Sequence, residues 1–128
     1  MFIVIRGMGI DLIENRRFQQ ELAQDEWKPE SGIFTREEVR ACRSGKHHDR
    51  RYAACFAVKE AALKALGVCV GDLAIFREVE VRFGPAGPSA IVLRDRLKSE
   101  AGRLGVRRVH LSIAAARKQT GAMVVLES

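Results

Sequence analysis

The stretch from Phe56 to Gly67, FAVKEAALKALG, constrains this chain more than any other. At about 100° per residue it reads as one helix with apolar residues on nearly every side. Phe56, Leu63 and Leu66 form one flank, and Val58, Ala61, Ala62 and Ala65 cover most of the rest. Such a helix is normally buried. Its polar sectors are two, Glu60 with Lys64 and Lys59 alone. Residues four apart share a helix face, so Glu60 and Lys64 lie side by side. A charge on a buried helix is costly unless it meets a partner, a metal or a ligand. The pattern therefore predicts a central helix that holds a carboxylate and an ammonium for a purpose.

The surrounding sequence predicts one domain over residues 1–128 with an α+β fold, an antiparallel sheet packed with this long central helix. Residues 2–5, FIVI, open a first strand. Gly7 and Gly9 follow, and glycine in a strand marks a bulge or a close backbone approach. No third glycine stands at the spacing of a dinucleotide loop. Residues 14–26 read as a short helix with Phe18 and Leu22 four apart, and residues 27–35 as a loop. Thr35 and Glu38 form a capping-box signature for a helix to about Cys42. The long helix spans residues 48–66 and ends at Gly67, ahead of a loop over 67–75. Residues 78–83, EVEVRF, alternate as a half-buried strand. A turn at 84–88 leads to a partner strand at Ala90–Val92. A leucine-striped helix from Leu93 stops at Gly105. Val109, Leu111 and Ile113 mark a third late strand, and residues 122–126 a final one after a polar turn at 117–120.

Composition narrows the function classes. The net charge of +6 favours an acidic partner, whether protein, phosphate or nucleic acid. A nucleic-acid reading has charge alone behind it, without an aromatic-interleaved basic patch. The three cysteines, Cys42, Cys55 and Cys69, are odd in number and include no CxxC, which argues against a disulfide framework or a zinc site. The apolar N-terminal run is too short for a signal peptide or a membrane span, so a cytoplasmic protein is expected.

Asp11 and Glu60 are the two acids set deepest in apolar sequence. Asp11 has two readings: a structural acid that accepts backbone hydrogen bonds or caps the next helix, or half of a functional pair. If the two acids converge they make an oxygen-only site suited to Mg²⁺, which keeps waters and usually takes substrate phosphate as a ligand. Lys64 would then lie beside that phosphate. This layout suits phosphoryl-group chemistry, in which positioning and charge neutralisation dominate. No nucleophile of the chain's own stands out, so the substrate would have to supply one.

These residues carry a resemblance. GMGIDLIE followed by Arg17 resembles the opening G-x-G-x-D-h-h-E…R of the holo-[acyl-carrier-protein] synthases, which are 4′-phosphopantetheinyl transferases. FAVKEAALKALG resembles their second signature, (F/W)-A-x-K-E-A-x-x-K-A-x-G, and the later elements agree in order. The resemblance implies the phosphopantetheinyl transferase fold and the transfer of phosphopantetheine from coenzyme A to a serine of an acyl carrier protein, releasing adenosine 3′,5′-bisphosphate. It implies Asp11 and Glu60 as Mg²⁺ ligands and Glu60 and Lys64 as catalytic residues. Coenzyme A would be held by Lys64, Gly67, Gly87 and Pro88, and Arg17 would contact the acidic carrier. It implies a homotrimer with active sites at subunit interfaces, without a nucleic-acid or membrane partner. Three departures stand out: Cys55 where members have Arg on the coenzyme A phosphate, Val68-Cys69 in place of Thr-Gly, and Ala114-Ala115 where many have His. They predict weaker coenzyme A binding unless Lys46, Arg50 or Arg51 substitutes, and they motivate an alternative, a non-catalytic or specialised member that binds coenzyme A or a carrier.

Overall fold

The computed structural model describes residues 2–24 and 32–128. Strand β1 (Ile5–Glu14) leads into helix α1 (Asn15–Leu22), and helix α2 (Arg36–Arg43) precedes the long helix α3 (His48–Leu66). A 3₁₀ helix (Leu73–Glu78) then enters the hairpin of β2 (Val79–Gly84) and β3 (Gly87–Leu93). Helix α4 (Asp95–Arg103) and strands β4 (Arg108–Ala115) and β5 (Gln119–Glu127) complete the chain. Two antiparallel sheets result, one with the order β1-β5-β4 and one of β2 and β3.

Helix α3 occupies the predicted range. Only its first turn, Glu60 and Lys64 escape burial. It ends where Gly67 adopts φ 70°, with the Gly67 and Val68 N–H groups donating to the Lys64 and Leu63 carbonyls. The buried faces of β1 and β5 pack on it through Ile13, Ala122, Val124 and Leu126.

The first strand begins at Ile5, three residues after the start that the sequence pattern gives it. It runs from Ile5 through the whole GMGIDLIE segment, with a register irregularity between Ile5 and Gly7. The two glycines explain why a strand can lie so close to α3. A Cβ at Gly7 would come within 2.0 Å of the Ala65 carbonyl oxygen, and one at Gly9 within 1.9 Å of the Ala61 carbonyl oxygen. The small side chains of α3 and the absent ones of β1 together bring backbone onto backbone.

Lys59 is the residue whose surroundings the sequence pattern leaves unassigned. Its side chain is fully buried and its Nζ lies 2.7 Å from Glu38 Oε1. It also donates to the carbonyls of Phe76 and Val79, each at 2.7 Å. Three acceptors thus meet the three protons of the ammonium. Glu38 is equally occupied: Oε1 accepts from the Thr35 N–H at 2.8 Å and Oε2 from the Val81 N–H at 2.7 Å. The expected capping box of α2 is present, and its glutamate also fixes β2 and α3.

Other boundaries shift for local reasons. Helix α1 is described to Leu22, with Ala23 as its C-cap, and residues 25 and 26 of the predicted 14–26 helix lie outside the described residues. The 3₁₀ helix replaces part of the predicted 67–75 loop, started by the Asp72 side chain accepting from the Ala74 N–H at 3.0 Å. Glu80, expected on a solvent face, is buried; Arg94 at 2.8 Å and Arg82 at 3.1 Å satisfy it. Leu93 belongs to β3 rather than to the following helix, and β5 starts at Gln119.

Because backbone fills the space where a side chain would go, Gly9→Ala is expected to cost at least about 3 kcal/mol, the severe end of overpacking. Urea denaturation compared with wild type measures it; a loss below about 1 kcal/mol, the lower bound of overpacking, would show that β1 can lift from α3 cheaply.

Candidate active site

Asp11 reaches the site because β1 alternates. Gly9, Asp11 and Ile13 share the face turned to α3, so the residue after the close crossing that bears a functional side chain is Asp11. Lys64 meets it from α3, with Nζ 3.0 Å from Asp11 Oδ1, and also donates to the Ile10 carbonyl at 3.1 Å. The Asp11 side chain is mostly buried, whereas that of Lys64 is half exposed. Glu60, one turn earlier on α3, faces the same place.

Asp11 and Glu60 line a cleft of about 320 Å³ together with Arg17 and Glu21 of α1. Phe18 and Phe56 also line it, their rings stacked with centroids 5.4 Å apart. Arg17 extends over α1, 3.3 Å from Glu21. The sequence pattern brings Asp11, Glu60, Lys64 and Arg17 to one region, and the structure does so. It misses Glu21, whose signal is its spacing of four residues after Arg17, and the aromatic pair.

Burial pushes the Glu60 carboxyl up from its usual range. The Asp11 carboxylate adds to the rise, and Lys64 opposes it. Two acids close enough to repel, in an open cleft, form a site that favours a cation. Among the described residues no group of three or more His, Cys, Asp or Glu suited to a metal forms. Asp11 and Glu60 therefore fit an ion that takes its remaining ligands from water and substrate, as Mg²⁺ does.

Gly67 and Lys64 stand at the C-terminal end of α3. Gly87 and Pro88 stand elsewhere, in a cleft of about 270 Å³ shared with Lys46, Arg50 and Arg51. Arg50 and Lys64 are separated by about 20 Å of helix at 1.5 Å per residue. One chain thus does not bring the four expected coenzyme A residues together. Cys55 also departs from expectation. It is fully buried, and desolvation, with the Cys42 thiol beside it, pushes its own thiol well up. Position 55 faces the core of this chain rather than either cleft, so the Cys55 thiol is not placed to meet a phosphate. Of the possible substitutes, Arg51 is committed to the C-terminal end of α2, donating to the Ala41 carbonyl and the Ser44 hydroxyl. Lys46 and Arg50 remain exposed.

The raised carboxyl has a consequence for stability. A carboxyl with a higher folded than unfolded pKa costs folding free energy above its folded value, and that cost fades as pH falls toward the unfolded value near 4.5. Glu60→Gln is therefore expected to stabilise the metal-free protein at neutral pH, with the gain vanishing below pH 4.5. Urea midpoints across that range measure it, and a gain independent of pH would refute the assignment.

The profile of the 4′-phosphopantetheinyl transferase superfamily matches residues 7–116. A holo-[acyl-carrier-protein] synthase of Koribacter versatilis is 35% identical over 124 residues, covering 97% of this chain and 99% of the relative. Among solved structures, a holo-[acyl-carrier-protein] synthase from Neisseria meningitidis aligns with a TM-score of 0.83 at 25% identity, over 98% of this chain and all of that one. A holo-(acyl-carrier-protein) synthase from Bacillus anthracis, in complex with CoA (3′,5′-ADP), aligns with a TM-score of 0.74 at 31% identity, over 97% of both chains. The acid pair, its lysine and the strand–helix crossing that assembles them all lie within the matched segment, and the chain belongs to the holo-[acyl-carrier-protein] synthases of the 4′-phosphopantetheinyl transferase superfamily.

Proposed function

We propose that this protein transfers 4′-phosphopantetheine from coenzyme A to the serine of an apo-acyl carrier protein in a Mg²⁺-dependent reaction. The observation that carries the reading is the convergence of Asp11 and Glu60 at one cleft, with Lys64 paired to Asp11, in a chain of this family. The serine oxygen attacks the phosphorus that bears pantetheine. The anhydride bond to the adjoining phosphate breaks, and adenosine 3′,5′-bisphosphate leaves with the electron pair. The serine proton passes to a base, for which Glu60, with its raised pKa, is suited directly or through water.

Asp11 and Glu60 are the residues that would hold Mg²⁺, and the ion, when bound, supplies charge neutralisation for the pyrophosphate. Lys64 is paired with Asp11 in the free protein. Its half-exposed, flexible stem allows the ammonium to turn toward phosphate oxygens. The Phe18–Phe56 pair gives the cleft an apolar wall, and Arg17 stands at its α1 side, where an acidic carrier would meet it.

Mutation of the acids tests the reading. Asp11→Ala and Glu60→Ala are each expected to lower transfer by at least about 100-fold, as for loss of a preorganised electrostatic group. The mass gain of an apo-carrier incubated with coenzyme A and Mg²⁺ measures it. Full activity in either variant refutes the role assigned to these acids.

A trimer completes the site in this reading. The outer face of the β1-β5-β4 sheet presents Met8, Ile10 and Leu12 at 60–65% exposure, with Met123 beside Ile10. An apolar sheet face of this kind suits burial against copies of itself. Assembly would allow Gly87 and Pro88 of one subunit to serve with Lys64 and Gly67 of the next. Ile10→Asp is expected to yield a monomer with intact secondary structure and little transfer activity, measured by light scattering after size exclusion and by the carrier mass shift. An active monomer would disprove the shared site.

A further inference from the structure

A second charged surface adjoins the start of α1, at the turn between β4 and β5. Asn15 builds it. Its Nδ2 donates to the carbonyls of Ala116 at 2.9 Å and Arg117 at 3.0 Å, and its backbone N–H donates to the Lys118 carbonyl at 2.8 Å. Its Oδ1 accepts from the Thr120 hydroxyl at 2.7 Å. Four hydrogen bonds from one residue hold the turn in a single place against α1. The backbone that carries Arg117 and Lys118 is therefore fixed beside Arg16.

Two clefts flank this ridge. One, of about 620 Å³, is lined by Glu14, Arg16, Arg117, Lys118 and Gln119. The other, of about 190 Å³, is lined by Asn15, Arg16, Gln19, Asp49, Arg50 and Arg117. Arg16 and Arg117 border both. Arg16, Arg50, Arg117 and Lys118 are exposed, and none is joined to an acid by an ion pair among the described residues. Glu14 and Asp49 are the acids in these walls, so positive charge predominates. Arg17 differs: it already meets Glu21 and borders the cleft with Asp11 and Glu60.

We propose that Arg16, Arg117 and Lys118 form a docking surface for an acidic protein, which on the function proposed above is the carrier. Three features point to that occupant. Every residue named in the walls is charged or polar, unlike the mostly hydrophobic lining of a small-molecule pocket. Among the described residues no aromatic side chain stands among the basic ones, as stacking on single-stranded nucleic acid requires. The surface shares α1 with the cleft of Asp11 and Glu60, so a protein seated on it would also lie over the site where its serine must arrive. The carrier then reads the enzyme with two adjoining elements, α1 and the β4–β5 turn, and Asn15 is the positioning residue that keeps them together.

Charge reversal tests the surface on the full chain. Arg117→Glu with Lys118→Glu is expected to raise the KM for the carrier by about ten-fold or more and to flatten its dependence on salt, as loss of interfacial charge complementarity does. The KM for coenzyme A should stay within about two-fold, since the change falls on the protein partner alone. Asn15→Ala keeps every charge but frees the turn, so it should raise the carrier KM as well, and circular dichroism separates this from unfolding. An unchanged carrier KM in the folded double variant overturns the proposal, as does an equal rise in both KM values. Loss of salt-dependent binding to labelled RNA with carrier KM unaffected assigns the surface to nucleic acid and also overturns it. If the wild-type chain transfers nothing, the function proposed above fails by itself. Calorimetric titration of the same variants with the apo-carrier then still tests the surface, with weaker binding by the double variant expected and equal binding refuting it.

Discussion

The close crossing of β1 over α3 is the constraint on which the rest of the structure depends. Two missing side chains, at Gly7 and Gly9, let the strand lie against the Ala61 and Ala65 turns of the helix. At any greater separation Asp11 would not reach Lys64, and the acid on the strand would not raise the pKa of the acid on the helix. The glycines are structural in their immediate effect and functional in their consequence. The apolar character of α3 has the same double meaning. A helix buried around most of its circumference fixes its own rotation, and a fixed rotation aims Glu60 and Lys64 at the strand.

The buried Lys59–Glu38 pair locks that rotation from the opposite side. Removing either partner would strand a charge in the core, which is strongly destabilising, although an apolar replacement of both is often tolerated. Here the pair is bound up with backbone. Glu38 takes the N–H groups of Thr35 and Val81, and Lys59 takes the carbonyls of Phe76 and Val79. Five segments are thereby tied to one ion pair: the loop before α2, α2 itself, the 3₁₀ helix, β2 and α3. Glu60, the next residue along the helix, inherits the orientation this network imposes.

Much of this is legible in the residues. The span of α3, its glycine end and the capping box of α2 follow from local chemistry. The pairing of Asp11 with Glu60 and Lys64 follows because acids embedded in apolar sequence need partners. Other features depend on tertiary contacts that periodicity does not encode. Propensity starts strand β1 three residues early, whereas pairing with β5 and the close fit of Gly7 and Gly9 on the alanine face of α3 set where it runs. Glu80 reads as solvent-facing by alternation, yet Arg82 two residues along the strand and Arg94 beyond the hairpin neutralise it inside the fold. A motif position alone suggests a phosphate-facing side chain at Cys55, whereas helix packing decides where it points. The separation of Gly87 and Pro88 from Gly67 is likewise a property of the assembled fold, invisible in a linear reading.

The division of charge over the surface makes the two faces of α1 complementary in role. The chain carries a net charge of +6, yet the cleft with Asp11 and Glu60 gathers four acids and a single arginine. Its basic residues are displaced to the rim and to the β4–β5 turn. Uniform positive charge would attract phosphate and acidic protein alike but would leave no place for a cation. Concentrating acids in one cleft and bases around it creates a local minimum for a cation inside a field that draws anionic partners toward it. Because α1 borders both regions, a partner held by the basic side is brought within reach of the acidic one, so the arrangement of charge, more than its total, is what suits this fold to joining an anionic cofactor to an acidic protein.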